Sequence, residues 1–290
     1  MELSVASIVY QWAGMPLYRA IDHIADLNFH YVDVLNYKRW QPANEPVANQ
    51  LRVAKKMEQN DMAAATIIVL PDYQLGTDKK DEQEHDLAQL KRAGRFVKRC
   101  GGNQILICKA MGLRQFGQTP EQVKARAVDR LNEFGEFCQS EGLNMVFEIE
   151  PPYIDMLNSV KDMRWLIDQV TTTRAYANVD IGHFTLLLES AEDLAPLKDD
   201  ILHVHLSDND GYSTEVDCLL GEGVVDFSSY LDKILALGIE ENCRKANTAC
   251  TCAIEVADGD GVIAHPDDMV LKSYNYMLKC YPYFRGEDNQ

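Results

Sequence analysis

Short runs of β-branched and other apolar residues alternate along the chain with longer stretches in which apolar residues recur every three or four positions. The first pattern is that of strands buried on both faces; the second gives a helix one apolar stripe to lay on a sheet. Eight runs have the strand character: residues 3–9, 31–35, 63–70, 104–109, 144–150, 177–181, 201–207 and 252–256. Between them, residues 16–29, 42–61, 84–101, 119–142 and 159–170 have helical period. The punctuation agrees. Thr119 and Pro120 have the form of a helix start, and Gly142 that of a helix stop ahead of the next strand. Residues 77–86 (TDKKDEQEHD) read as a solvated helix start. Neither GxGxxG nor GxxxxGK[ST] follows a strand, which disfavours an open nucleotide-binding sheet. With no Pro/Gly/Ser-rich linker, the pattern predicts one domain over residues 1–290, a single (β/α)₈ TIM barrel.

Composition narrows the range of partners. The 290 residues contain 28 basic and 45 acidic side chains, a formal net charge of −17. That field disfavours nucleic acid and anionic membranes as partners. There is no signal-like start and no run of eighteen apolar residues, so a soluble cytoplasmic protein is expected. The eight cysteines form no CxxC pair and read as reduced, structural thiols, Cys108 in the run QILIC among them. A soft-metal site at Cys243, Cys250 and Cys252 is the alternative, but no histidine stands near.

Candidate chemistry lies where the strands end, because the carboxyl face of a barrel carries its active site. The fifth strand ends in Glu148 and Glu150, the sixth in Asp180 and His183, the seventh in His203, His205 and Asp208, the eighth in Glu255. Taken singly, each has an ordinary account as a hydrogen-bonded or ion-paired interior residue. On four consecutive strand ends, however, several carboxylates would share a small volume, and a divalent cation relieves their repulsion. Oxygen donors with one nitrogen and no thiolate suit Mn²⁺, Mg²⁺ or Co²⁺; ligand type alone leaves Zn²⁺ open.

The segments EIEP, DIGH, HVHLSDNDG, LGEG and AIEV, in this order, resemble the xylose isomerase-like barrel superfamily of sugar isomerases and epimerases. Inosose dehydratases and the apurinic endonuclease IV type also belong to it. The resemblance covers essentially the whole chain. By its ketose 3-epimerase branch it implies a metal, foremost Mn²⁺, held by Glu148, Asp180, His205 and Glu255. Glu148 is preferred over Glu150 because it stands six residues after Gly142, as in the family pattern. His183 matches the substrate-binding histidine, and His203 is left as a packing or supporting residue. Two departures stand out: Gly211 occupies the position of the branch's arginine, and Asp217 that of a histidine common ahead of LGEG. The additional histidines of the endonuclease branch are missing, in agreement with the charge.

The implied reaction is metal-dependent isomerisation or epimerisation of a ketose or keto-sugar through a cis-enediolate, with Glu148 and Glu255 exchanging protons on opposite faces of one carbon. His183 and Asp155 are candidates for orienting hydroxyls, Lys109 for polarising an oxygen, and Trp12 and Tyr37, with Tyr10, Trp40 and Tyr73, for walling a sugar site. One alternative is a lyase that expels a leaving group from an inosose or a 3-keto-glycoside, C-glycosides included. Another is a non-catalytic sugar-binding subunit. The partner expected is a small sugar, with neither nucleic acid nor membrane. A homo-oligomer is expected, with a hetero-oligomer as alternative.

Overall fold

The computed structural model describes residues 1–212, 218–257 and 263–285; Asp217 therefore lies outside the described residues. Eight parallel strands close in chain order into one barrel: β1 (Glu2–Ala6), β2 (Tyr31–Asn36), β3 (Ala63–Val69), β4 (Gln104–Ile107), β5 (Asn144–Glu148), β6 (Ala175–Asp180), β7 (Ile201–Leu206) and β8 (Thr251–Ile254). β1 closes the ring against β8, with Glu2 opposite Thr251 and Val5 opposite Ile254. Helices follow the strands on the outside, as a right-handed βαβ connection requires. The fold is thus the single (β/α)₈ barrel that the alternation predicts. Among the described residues no helix is long and apolar enough to cross a membrane.

The strands are almost fully buried, which explains their continuous apolar composition. The helix Pro120–Glu141 shows how local sequence sets an element's limits. Thr119 accepts from the Gln122 amide at 3.3 Å, while the Gln122 side chain accepts from the Thr119 amide at 2.9 Å. Gly142 ends the helix at φ 65°, a left-handed conformation that costs glycine least. Val123, Ala127, Leu131, Phe134 and Cys138 form its buried stripe; each large apolar side chain so buried contributes roughly 1.5–3 kcal/mol.

Strand limits differ from the sequence pattern where a side chain intervenes. The first strand stops at Ala6, and a short helix, Ile8–Trp12, takes up the apolar residues expected to prolong it. Ser7 makes the break: its Oγ accepts the Leu35 amide at 2.9 Å and donates to Gln11 Oε1 at 2.6 Å. Strand β4 ends at Ile107, so Lys109 lies in the following loop at φ 62°. Strand β5 ends at Glu148, which puts Glu150 in a loop. Residues 77–86 do lead into a helix, Lys80–Arg99, with Lys80 and Asp81 exposed, but Thr77 and Asp86 are buried.

Candidate metal centre

Register brings the polar strand ends together. Glu148 at the end of β5 lies opposite Asn178 of β6; two residues on, Asp180 lies opposite His205 of β7; and Leu206 lies opposite Ile254, just before Glu255. One donor atom from each of Glu148, Asp180, His205 and Glu255 falls within 4.8 Å of all the others. His205 Nδ1 is the centre of the group, 2.6 Å from Glu255 Oε2, 3.1 Å from Glu148 Oε1 and 3.8 Å from Asp180 Oδ2.

Glu148, Asp180 and His205 are held from behind. Asn178 Nδ2 donates to Glu148 Oε1 at 2.6 Å, and the Cys108 thiol donates to Oε2 at 2.8 Å. Asp180 caps the helix Ile181–Leu186; its Oδ1 accepts from the His183 amide at 2.9 Å and from Ser207 Oγ at 2.6 Å, and Oδ2 faces the cluster. Gly182 makes room for that serine: a Cβ on it would lie 2.1 Å from Ser207 Oγ. His205 Nε2 donates to Asp33 Oδ2 at 3.2 Å, and His203 Nε2 approaches the same oxygen at 2.5 Å. With Nε2–H donating to Asp33, Nδ1 is the nitrogen on the side of the three carboxylates, and it is the one that would coordinate a bound cation. That is the arrangement by which a carboxylate orients a metal-binding histidine.

The electrostatics point the same way. Burial would lower the His205 pKa, but the Glu255 and Glu148 carboxylates push it well above the ordinary imidazole value. Burial pushes Glu255 up against the pull of His205, with Glu148 and Asp180 adding to the rise. Burial acts upward on Asp33 too, yet His203 and His205 hold it down at about 2. The cluster thus draws positive charge to its centre. Despite the short distances, His205 Nδ1 is buried without a partner in hydrogen-bond geometry. In the metal-free chain a proton on His205 answers the three carboxylates; three oxygens and one nitrogen converging on one buried point fit a divalent cation that would take that proton's place.

The other sequence candidates fall elsewhere. Glu150 is not in the four-residue group; it joins Cys108 and Glu148 in a neighbouring one. His183 Nδ1 lies 3.0 Å from the Ile149 carbonyl and 3.7 Å from Glu150. Asp155, the other candidate for orienting hydroxyls, is engaged by the main chain. Fully buried, its carboxylate accepts from the Met111 amide at 3.0 and 3.2 Å and from the Met156 amide at 2.5 Å, fastening one loop to another. Lys109 is outside the cluster, and the buried carboxyl on which its charge acts is Asp86. Tyr10 is completely buried and cannot wall a site. Trp12, Tyr37 and Trp40 do line a common cleft of ≈ 360 Å³, Trp12 and Trp40 stacked at 6.4 Å; Tyr73 packs edge-on against His85. All eight cysteines are free thiols. Among the described residues, Cys243, Cys250 and Cys252 take no part in a group able to hold a metal. Asp33, Asn178 and Ser207 were not anticipated; for Asp33 the one sequence signal is an acid inside the apolar run YVDVL.

A closed parallel barrel whose last four strands converge three carboxylates on one imidazole defines a class, the (β/α)₈ barrels with a candidate divalent-metal mouth. The chain belongs to the xylose isomerase-like TIM barrel family, whose model matches residues 21–244. No curated protein matches it in sequence. Solved structures share the fold. A D-allulose 3-epimerase from Methylomonas sp. superposes with a TM-score of 0.75 at 16% identity, covering 96% of this chain and 97% of its own. For a 3-keto-D-glucoside 4-epimerase from E. coli the values are 0.70, 18%, 95% and 99%. For the IOLI protein, solved with a bound zinc atom, they are 0.80, 13%, 98% and 99%.

Proposed function

We propose that the protein is a divalent-metal-dependent sugar isomerase or epimerase acting on a ketose or keto-sugar. The observation that carries this reading is the convergence of Glu148, Asp180 and Glu255 on Nδ1 of His205. The named functions of the epimerases that share the fold support it. Glu148, Asp180, His205 and Glu255 would hold the cation, foremost Mn²⁺. A bound divalent cation would supply Lewis acidity to a ketone oxygen and its neighbouring hydroxyl.

The chain's own residues do the rest. Glu148 and Glu255 come from strands three positions apart around the barrel and reach the cluster from different sides. One carboxylate oxygen removes the C–H proton between ketone and hydroxyl, leaving the substrate's cis-enediolate, and the other carboxyl returns a proton to the opposite face. Return to the adjacent carbon gives isomerisation instead. Asn178 and Cys108 fix the Glu148 oxygens, so the base is aimed before substrate arrives. His183 and the cleft of Trp12, Tyr37 and Trp40 bind and orient the sugar. Such an enzyme works in the cytoplasm on a small molecule, without nucleic acid or membrane, as a homo-oligomer.

The test is incubation of Mn²⁺-loaded protein with ketoses and inososes in D₂O, read by mass spectrometry. Deuterium at carbon without loss of water or aglycone is expected. An elimination product would replace the reading with a lyase, and full metal occupancy without exchange on any sugar would replace it with a binding subunit.

A further inference from the structure

Away from the barrel mouth, the helix Lys80–Arg99 carries Arg92, Arg95 and Arg99 on one stripe, since positions three and four apart share a helix face. They line a groove of ≈ 450 Å³ closed on its other side by Asn44, Pro46 and Gln50. The partners of these guanidiniums are all neutral. Arg92 Nε donates to Asn44 Oδ1 at 2.6 Å, Arg99 Nη1 donates to Gln50 Oε1 at 2.7 Å, and Arg95 stacks on the Phe137 ring at 5.2 Å. Ion pairs among the described residues engage Arg130, Arg164, Arg174 and Arg244, but none of these three. Glu45 also lines the groove and accepts from Asn49 Nδ2 at 2.9 Å.

Three uncompensated guanidiniums on one wall are unexpected in a chain with 45 acidic and 28 basic residues. Chance pairing in such an excess of acid favours the opposite. Asn44 and Gln50 hold two of the arginines through one N–H each and leave their remaining donors for a ligand. The groove also receives the amino end of the helix Val47–Gln59, which has no side-chain cap and no acid in its first turn. Screening confines each charge to roughly 8 Å at physiological salt, so the local cluster outweighs the distant negative excess.

We propose that this groove binds a compact polyanion through its phosphate or carboxylate groups, in a site separate from the metal centre. Planar guanidiniums recognise both groups by paired N–H donors. The site is independent of the sugar chemistry, so it stands or falls on its own.

Titration calorimetry of the full chain with pyrophosphate and, separately, citrate tests it at constant ionic strength. Saturable 1:1 binding of at least one is expected, and which of the two binds more tightly assigns the group. Arg95→Gln/Arg99→Gln should weaken that binding tenfold or more, whereas Arg130→Gln, which removes an arginine paired with Glu133, should not. Circular dichroism shows whether the double variant is folded; if it is not, Arg92→Gln replaces it. Absence of saturable binding of both anions, or equal binding by the arginine variants, overturns the proposal.

Discussion

Two regions of this barrel bury carboxylates, with only Glu255 of the four left partly exposed, and do opposite things with them. At the ends of β5 to β8, Glu148, Asp180 and Glu255 point toward one another and toward His205 Nδ1. In the loop that follows β5, Asp155 is fully buried, but its oxygens are taken up by the main-chain amides of Met111 and Met156. Burial alone therefore does not mark a functional acid. What separates the two regions is the partner: backbone donors satisfy a carboxylate in place, whereas facing carboxylates leave a need for positive charge that nothing fixed in the chain supplies in full.

The difference is open to experiment, and the largest effect is expected at the mouth. Glu148→Gln and Glu255→Gln should each lower turnover by about 10²–10⁴, the range attributable to a positioned acid or base, and should reduce bound metal measured by elemental analysis. Full metal content with unchanged turnover in both would erase the distinction. Asp33→Asn should act at one remove. Its folded structure by circular dichroism should persist while affinity for Mn²⁺ falls about 10–100-fold, as for other groups that orient a metal-binding histidine. Calorimetric titration with the metal alone measures this without recourse to activity.

The smallest effect on the centre belongs to the loop. Asp155→Ala should leave metal affinity unchanged and cost about 1–3 kcal/mol of stability in a urea titration, because buried amides lose their acceptor. Asp155 also predicts a pH dependence. Burial raises its pKa from the ordinary 3.8 to about 7, against the amides' pull. The folded chain thus binds more protons than the unfolded one between those values. The carboxyl's stabilising contribution is full at the acid end and is lost as pH rises through about 7. Asp155→Asn should flatten that slope; an unchanged slope would mean that other groups produce it.

Much of this was legible in the sequence because it depends on period and on strand ends. Alternating apolar runs and amphipathic stretches sufficed for eight strands in a closed ring, since each parallel strand is buried on both faces. The four cluster residues were visible as polar side chains directly after apolar runs. Asp33 was not, because it lies inside a strand, between Val32 and Val34, and the histidines it holds are 170 and 172 positions away. Cys108 looked like any buried thiol; that it donates to Glu148 depends on the neighbouring positions of β4 and β5. The overlong first strand has the same origin. Ile8 and Val9 continue the apolar pattern, and only the contacts of Ser7 with Leu35 and Gln11 reveal the stop.

Gly182 carries a consequence for how such chains diverge. No φ constraint demands a glycine there; space does, since any side chain would have to displace the hydroxyl of Ser207 that steadies Asp180. Glycine, serine and aspartate form one heritable unit where two neighbouring strands, β6 and β7, end. A descendant that changes the first must rebuild the second to keep the third, so the absence of a side chain at position 182 is as informative for tracing relatives of this barrel as the acid two residues before it.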